Sequence, residues 1–194
     1  MDYALQGKLV VRLKGGDVSF FSNVLDELTV LVRHQIPYEI IPGVTAASGA
    51  AAYAGIPLTA RNFARAVRFI TCHPSDLVNE NYWDDLARSE DTLVFYMSSD
   101  HVGTIVKNLI ASGISRETRI AVIEQATTPL QQVHCSSVYG FFKKNKPGPY
   151  ASPTLVIIGK VVALHDQFQW LPNSRVPLNY FSPVSEKSGS AARA

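Results

Sequence analysis

Short apolar runs typical of buried strands alternate with helix-periodic segments, and this alternation most limits the folds open to the chain. Residues 8–13 (KLVVRL) and 38–41 (YEII) are typical of strands, and each run ends at a turn rich in glycine or proline. Apolar residues recur at helical spacing over 24–32, and the alanine-rich segment 45–54 predicts a helix capped by Thr45. Strand, helix, strand, helix predicts βα units, a mainly parallel sheet and an α/β fold.

A second set of elements follows a polar, basic stretch at residues 59–66, which is the best candidate for a linker. One helix in this set is predicted to begin at a cap formed by Asp100 and to stop at Gly113. A short acidic helix is predicted near residues 82–88. The predicted strands are 67–72, 92–97, 119–124, 132–138 and 155–162.

These elements divide the chain into three expected parts. Residues 1–62 are expected to form a first α/β lobe, and residues 63–170 a second one. Residues 171–194 lose apolar periodicity and are rich in proline, asparagine and serine, so we expect a disordered tail there.

The composition excludes several classes of protein. Hydrophobic residues make up 46% of the 194 residues, which is enough for a packed core. With 18 Lys+Arg against 16 Asp+Glu, the chain lacks the basic excess typical of nucleic-acid binders. No apolar run approaches the ~18 residues that span a bilayer, and the first residues do not resemble a signal peptide. With only 2 cysteines, we expect a cytoplasmic protein without membrane or nucleic-acid partners.

Most generic catalytic motifs are absent. The chain has no G-x-x-x-x-G-K-[ST], no G-x-G-x-x-G and no G-x-S-x-G sequence, which disfavours nucleotide binding and serine hydrolysis. Cys72–His73 and His134–Cys135 are two pairs that would form a zinc site on neighbouring strands. Buried thiols on apolar strands are more common, so no resident metal is expected.

The sharpest local feature is Gly15-Gly16-Asp17, directly after the first predicted strand. Open α/β sheets bind ligands at such strand ends, and glycines let the backbone approach a ligand closely. The Asp17 carboxylate can accept hydrogen bonds from hydroxyl or ammonium donors. An ordinary turn in which Asp17 caps the next helix is the alternative, and these residues alone leave both open.

Basic residues near the linker also allow two interpretations. They form either a solvated face or a surface that binds an acidic small molecule, and composition alone favours the solvated face. The residues are Arg12, Lys14, Arg61, Arg65 and Arg68.

Residues 10–17 (VVRLKGGD) resemble the V-R-L-K-G-G-D signature of uroporphyrinogen-III C-methyltransferases, in the tetrapyrrole methylase superfamily. Further segments follow in the family's order, so the resemblance covers about residues 7–170. These segments are 41–48 (IPGVTAAS), 53–59 (YAGIPLT), 93–97 (LVFYM), 123–131 (IEQATTPLQ) and 152–162 (SPTLVIIGKVV).

The resemblance implies an activity and a cofactor. Enzymes of this family have two α/β lobes with S-adenosylmethionine in the cleft between them, and they are typically homodimers. They methylate ring carbons of uroporphyrinogen III to give precorrin-2, with S-adenosylhomocysteine as the spent cofactor. Precorrin-2 leads to siroheme and cobalamin, and the sequence does not distinguish these branches.

The same resemblance implies site residues. A strand-end core residue and an ordinary loop position are the alternatives for Met97 and Ala126, and Thr154 is the weakest candidate. The carboxylate-rich substrate makes Arg12, Lys14, Arg61 and Arg65 candidate substrate contacts, although the resemblance does not assign them. No residue is assigned as a catalytic acid or base. The candidate cofactor contacts are Gly15, Gly16, Asp17, Phe20, Thr45, Ala46, Met97, Ala126 and Thr154.

The chain departs from the family pattern in three ways. Val18 stands where members usually have proline, and Ala126 where many have glycine. The family's opening strand, its glycine- and proline-rich loop and its proton-handling residues have no counterpart here. We therefore expect a fragment with an exposed sheet edge in the first lobe, weak cofactor binding and little turnover.

Two alternatives to this function stay open at the level of the sequence. One is another enzyme of the superfamily, such as a precorrin methyltransferase or a diphthine synthase. The other is a truncated lobe that binds cofactor or a partner chain without catalysis.

Overall fold

This computed structural model describes residues 1–73, 75–145 and 148–181, and the chain divides into two compact units, Met1–Gly49 and Ala50–Ala194. None of the described helices is long and apolar enough to cross a membrane. The helices are α1 (Asp2–Leu5), α2 (Val24–Arg33), α3 (Ala46–Ala54), α4 (Glu80–Arg88), α5 (Val102–Ala111), α6 (Phe141–Lys144) and α7 (His165–Phe168). The strands are β1 (Val67–Thr71), β2 (Thr92–Tyr96), β3 (Arg119–Glu124), β4 (Gln132–Ser137) and β5 (Thr154–Gly159).

The described strands form one mixed sheet in the order β1-β2-β5-β3-β4. β1 pairs parallel with β2, whereas β5 runs antiparallel to both β2 and β3, and β4 antiparallel to β3. This sheet is thus mostly antiparallel, unlike the mainly parallel sheet that the pattern of residues 1–58 predicts. β4 follows β3 after a short loop, which allows antiparallel pairing, and β5 enters between β2 and β3 in the opposite direction. The α/β class itself is confirmed.

The main core of the second unit lies between one sheet face and two helices. Strand side chains two positions apart share a face, so Leu93 and Phe95 of β2 point to the same side. They are buried together with Trp83 of α4 and with Ile105 and Leu109 of α5.

The apolar runs predicted the ends of β1, β2, β3 and β4 to within two residues.

Helix α5 confirms its predicted apolar face but not its predicted start. Val102 and Ile105 are fully buried. The helix begins at Val102 after His101, while Asp100 lies in the preceding 3-10 turn Ser99–His101, so the assignment of Asp100 as the cap is wrong. Gly113 has a φ of 75° and its N–H donates to the Ile110 carbonyl at 3.1 Å, which ends the helix as predicted.

The last strand is shorter than predicted. β5 ends at Gly159, and Lys160–Leu164 forms a 3-10 helix. Val161 and Val162 are fully buried in that helix rather than in the sheet. A short continuous apolar run does not distinguish a buried strand from a buried helical turn, and this is why the predicted end at 162 is wrong.

The first unit contains helices but no strand in residues 1–49, all of which the structure describes. The strands predicted at 8–13 and 38–41 are therefore wrong, and with them the exposed sheet edge expected in this part. A strand is stable only beside a hydrogen-bonded neighbour, and neither segment has one in this unit. Leu9 and Leu13 are 94% and 80% exposed, so these segments keep the composition of buried strands without the burial.

Residues 171–181, all described, contain neither helix nor strand, yet they make specific hydrogen bonds. The Asn173 side chain accepts from the Val133 N–H at 2.7 Å and donates to the Val133 carbonyl at 3.0 Å. The rest of the predicted tail, residues 182–194, lies outside the described residues. The predicted bounds of the lobes and the tail stay predictions.

Candidate functional site

Asp17 ties together two loops of the first unit. Its Oδ1 accepts the Ser19 N–H at 2.7 Å, and its Oδ2 accepts the Gly43 N–H at 3.0 Å. These two backbone donors hold the pKa of Asp17 below its ordinary value of 3.8, with Ser19 the larger cause. Helix α2 begins at Val24 with Asn23 at its cap position, so the alternative in which Asp17 caps that helix is wrong.

Glycine is required where these two loops meet. A Cβ on Gly43 would lie 2.5 Å from the Gly16 carbonyl oxygen, and Gly16 itself has a φ of 78°. A Cβ on Gly16 would lie 3.9 Å from the backbone N of Ala46, the first residue of α3. The structure thus brings Gly16, Asp17 and Ala46 close together within one unit.

The other candidates in this unit lie close in sequence to the same loops. Gly15 has open space where a Cβ would stand, so its backbone is accessible. The Phe20 N–H donates to the Asp17 carbonyl at 3.3 Å, and the residue is 39% exposed. Thr45 directly precedes α3, and its carbonyl accepts the Ser48 and Gly49 N–H groups.

The basic candidates differ in whether their charge is already paired. Lys14 Nζ lies 2.8 Å and Arg12 Nε 3.2 Å from Glu27 Oε1, and these contacts lower the pKa of Glu27, with Lys14 the larger cause. Arg61 and Arg65 are exposed and have no carboxylate partner among the described residues. These two arginines are therefore the more available for an acidic ligand.

Arg68, the remaining basic residue, is engaged in the second unit. Its Nε lies 2.7 Å from Asp91 Oδ2 and its Nη1 2.5 Å from Asp85 Oδ2. The pKa of Arg68 is raised by these contacts, with Asp91 the larger cause. This arginine therefore joins β1 to the residues around α4 and the start of β2.

Three cofactor candidates lie at one end of the sheet. Met97 follows β2 directly, Thr154 begins β5, and Ala126 lies in the loop after β3. In the ladder Phe95 pairs with Val156, so continuing the register sets Met97 opposite Thr154. Thr154 also pairs with Glu124 at the end of β3. The structure thus places Met97, Ala126 and Thr154 at the same sheet end.

This sheet end also concentrates unusual backbone conformations. Met97, Gln125 and Thr127 have φ values of 51°, 49° and 68°, in the left-handed region that residues other than glycine rarely adopt. Met97 is 70% exposed, so the alternative that it is a core residue at the strand end is wrong. Strained backbone positions of this kind cluster at ligand-binding sites.

A carboxylate that sequence reasoning missed, Glu124, organises the same region. His134 Nε2 lies 2.6 Å from Glu124 Oε2, and the Ala151 N–H donates to Glu124 Oε1. Burial raises the pKa of Glu124, but the His134 and Ala151 hydrogen bonds together outweigh it, so the pKa lies below its ordinary value of 4.5. Only the place of Glu124 in the segment 123–131 signalled it in the sequence.

The two Cys–His pairs do not assemble into a cluster. The part of the chain that the structure describes holds no group of three or more His, Cys, Asp or Glu side chains positioned to hold a metal ion. His134 is instead engaged by Glu124. Burial raises the pKa of Cys135 to about 12, so this thiol stays protonated at neutral pH.

A sequence profile of the Tetrapyrrole (Corrin/Porphyrin) Methylases matches residues 1–139. This match covers well over half of the chain, and the protein therefore belongs to that methyltransferase family, as the resemblance predicted.

Solved structures of methyltransferases support the same fold. A uroporphyrin-III C-methyltransferase from Thermus thermophilus is 32% identical, with a TM-score of 0.69 over 87% of this chain and 71% of that chain. A uroporphyrin-III C-methyltransferase from the same organism, complexed with S-adenyl homocysteine, is 28% identical, with a TM-score of 0.67 over 84% of this chain and 71% of that chain. A cobalt precorrin-4 methyltransferase is 25% identical, with a TM-score of 0.73 over 83% and 68%. The tetrapyrrole methylase fold is thus confirmed.

Curated relatives are considerably longer proteins. The siroheme synthases of Saccharophagus degradans and Pseudomonas aeruginosa are each 43% identical, over 170 and 175 residues. These matches cover 88% and 90% of this chain but 37% and 38% of the relatives. The chain thus spans less than two-fifths of the siroheme synthases it matches.

Proposed function

We propose that this chain carries out S-adenosylmethionine-dependent C-methylation of uroporphyrinogen III to precorrin-2, as part of siroheme or cobalamin biosynthesis. The observation that carries the proposal is the concentration of strained residues at one sheet end in a member of this family. Gln125 and Thr127 flank Ala126, a candidate cofactor contact, in the chain. Thr154, another candidate, pairs with Glu124 and lies opposite Met97 when the β2–β5 register is continued.

The loops of the first unit fit a cofactor with cationic groups. Gly15 leaves open space beside exposed backbone, and Gly16 tolerates the φ of 78° that the turn requires. Asp17 is ionised, and its carboxylate oxygens keep acceptor capacity beyond the two N–H groups they already bind. A carboxylate favours a nearby ammonium or sulfonium group. We propose that Gly15, Gly16, Asp17, Phe20, Thr45 and Ala46 hold S-adenosylmethionine.

The proposed chemistry asks little of the protein beyond position. When bound, S-adenosylmethionine supplies a methyl group that its sulfonium already activates. The protein then needs to align the donor with the acceptor carbon, to exclude water and to let the methylated ring release one proton, for which no residue of this chain is assigned as the base. Neither a nucleophile nor a metal is required for the transfer itself. Met97, Ala126 and Thr154 are proposed to contribute to this alignment as cofactor contacts.

The substrate is proposed to be a polycarboxylate bound in part by arginine. Arg61 and Arg65 are exposed and lack a carboxylate partner in the described ranges, so their guanidinium groups are available for bidentate pairing. Arg12 and Lys14 share Glu27, and the Lys14 side chain is only 14% exposed, which makes them weaker candidates.

A second candidate is methylation of a later corrin intermediate. It is favoured by the TM-score of 0.73 to the cobalt precorrin-4 methyltransferase. Both reactions use the same donor and a carboxylate-rich tetrapyrrole, so product analysis is needed to separate them.

The test is calorimetric titration of the full chain with S-adenosylhomocysteine, followed by turnover with uroporphyrinogen III and S-adenosylmethionine. In line with the weak cofactor binding and little turnover expected of this chain, we expect weak but measurable binding and slow formation of precorrin-2. No binding at millimolar ligand would defeat the proposal, and binding with methylation of a corrin precursor alone would favour the second candidate.

A matched pair of variants tests the substrate contacts. Arg65→Gln should raise the KM for uroporphyrinogen III by on the order of tenfold, since a charge-assisted pair is lost. Lys107→Gln on α5 removes an exposed cation that is not a candidate contact, and its KM should stay within about twofold of wild type. Equal KM values for the two variants would remove Arg65 from the substrate site.

Assembly and location follow as further proposals. We propose a cytoplasmic homodimer, as is typical of the family. Sedimentation equilibrium of the purified chain tests the assembly, and a monomer at micromolar concentration would contradict it.

A further inference from the structure

We infer that residues 170–181, the strap, position the β3–β4 loop (residues 125–131) for cofactor binding through the buried side-chain amide of Gln125 and the backbone carbonyl of Gln131. The inference rests on the proposed function, which places Ala126 of this loop against the cofactor. It concerns contacts inside the second unit only. It assigns Gln125 and Gln131 as positioning residues, since their side chains act on the loop rather than on the ligand.

The Gln125 side chain is held by the strap at both of its polar atoms. Its Nε2 donates to the Leu178 carbonyl at 3.1 Å, and its Oε1 accepts the Tyr180 N–H at 2.5 Å. Gln125 is only 2% exposed, so water does not replace these partners if they are lost. Its own N–H donates to the Pro153 carbonyl at 2.7 Å, which joins the loop to the segment before β5.

Gln131 closes the other end of the loop from inside. It is 1% exposed, and its Oε1 accepts the Thr127 N–H at 2.9 Å. The Gln131 carbonyl in turn accepts the Ser174 N–H of the strap at 3.0 Å. The strap therefore contacts the loop at both of its ends, directly at Gln125 and through the backbone of Gln131.

The loop conformation needs this support. Gln125 and Thr127 both have positive φ values, and Ala126 lies between them. Such conformations persist in residues other than glycine only where the surroundings over-determine them. Without the strap, the loop is free to leave this conformation. The affinity for a ligand that contacts Ala126 is then multiplied by the fraction of molecules whose loop keeps the binding conformation.

The strap is itself anchored at its start. Trp170 Nε1 donates to the Ala52 carbonyl near the end of α3 at 2.8 Å, and its ring centroid lies 5.1 Å from that of Tyr53. The Asn173 side chain accepts the N–H of Val133 on the edge strand β4 and donates to its carbonyl. These contacts allow a purely structural role, namely covering the edge of the sheet, and the experiment must separate that role from positioning.

The experiment compares the unaltered chain with two truncated chains and with two full-length chains that each carry one substitution. A chain ending at Arg175 lacks the residues that bind Gln125, whereas a chain ending at Phe181 keeps the whole strap. Gln125→Met keeps the size of the side chain but not its hydrogen bonds. Ile105→Ala, at a fully buried residue of α5, weakens the core of the second unit at a residue outside both the strap and the loop. Binding of S-adenosylhomocysteine and the thermal midpoint are measured for each variant, with hydrogen exchange of residues 125–131.

We expect the chain ending at Arg175 and Gln125→Met to raise the dissociation constant by on the order of tenfold and to speed exchange in the loop. The chain ending at Phe181 should bind within about twofold of wild type, and Ile105→Ala should lower the midpoint at nearly unchanged affinity. Affinity unchanged in all four variants would overturn the inference and leave the strap a structural edge cover. No binding by the unaltered chain would instead defeat the proposed function, and the cofactor role of the strap with it.

Discussion

The Asp17 carboxylate joins two loops that are separated by 26 positions in the sequence. Because the Ser19 and Gly43 N–H groups lower its pKa, its contribution to stability is present above the unfolded value of 3.8 and is lost as pH falls through the lower folded value. We expect the amide resonance of Gly43 in NMR to titrate with a midpoint below pH 3.8. Asp17→Asn should abolish that titration, and a midpoint at or above 3.8 would contradict the contact.

Two glycines of the same loops make a matched pair. Gly43→Ala would set a Cβ 2.5 Å from the Gly16 carbonyl oxygen, so the loops must separate. Gly15→Ala meets nothing within 4 Å. We expect Gly43→Ala to speed hydrogen exchange of residues 15–19 by on the order of tenfold or more, and Gly15→Ala to leave it within about twofold. Similar exchange in the two variants would show that the loops do not pack this way.

At the scale of elements, the predicted strands that the structure confirms are those that hydrogen-bond to a neighbouring strand within the second unit. β1 to β4 are short apolar runs bounded by turns, and each pairs along its length. The segment 8–13 has the same composition but no neighbour, so local pattern alone overstated it. The strand register that sets Met97 and Thr154 at the same sheet end as Ala126 is a long-range property, and only the family resemblance suggested a common role for these three residues.

Phe95 of β2 carries much of the packing between the sheet and α4. It is fully buried, and its ring stacks on Trp83 with centroids 6.4 Å apart. We expect Phe95→Ala to lower the free energy of unfolding by about 3–5 kcal/mol, through lost transfer free energy and a cavity. Val78→Ala, at a residue that is 82% exposed, should change it by less than about 0.5 kcal/mol. Urea denaturation measures both, and comparable losses would contradict this core.

Glu124 links the end of β3 to β4 and to the segment before β5. Its pKa lies below 4.5, so its contribution to stability is present above that value and is lost as pH falls through the lower folded pKa. Glu124→Gln should cost about 1–3 kcal/mol at pH 7, because it weakens a mostly buried hydrogen-bonded carboxylate. The difference from wild type should shrink once the pH falls below the folded pKa. A cost that does not change with pH in urea denaturation would exclude the ionised carboxylate as its source.

At the scale of the whole molecule, the two units differ in what protects their backbone. The second unit has a five-stranded sheet with a buried cluster beside it. The first unit has helices and long segments without helix or strand, whose apolar side chains, such as Leu9 and Leu13, are mostly exposed. The sequence pattern alone predicted similar α/β lobes, because apolar runs report a tendency to be buried and not whether a partner covers them.

This difference predicts the order in which amides exchange with solvent. Local opening is easiest where few apolar contacts and few backbone hydrogen bonds hold a segment. We expect residues 8–13 and 38–41 to exchange within seconds at neutral pH, and residues 93–95, 120–123 and 155–158 to stay protected until the second unit unfolds. Helix α5, which is buried along one face, should exchange with the strands and serves as the internal control. Protection of residues 8–13 comparable to that of β3 would show that their backbone is hydrogen-bonded in solution, and would restore the strand that the apolar pattern predicts.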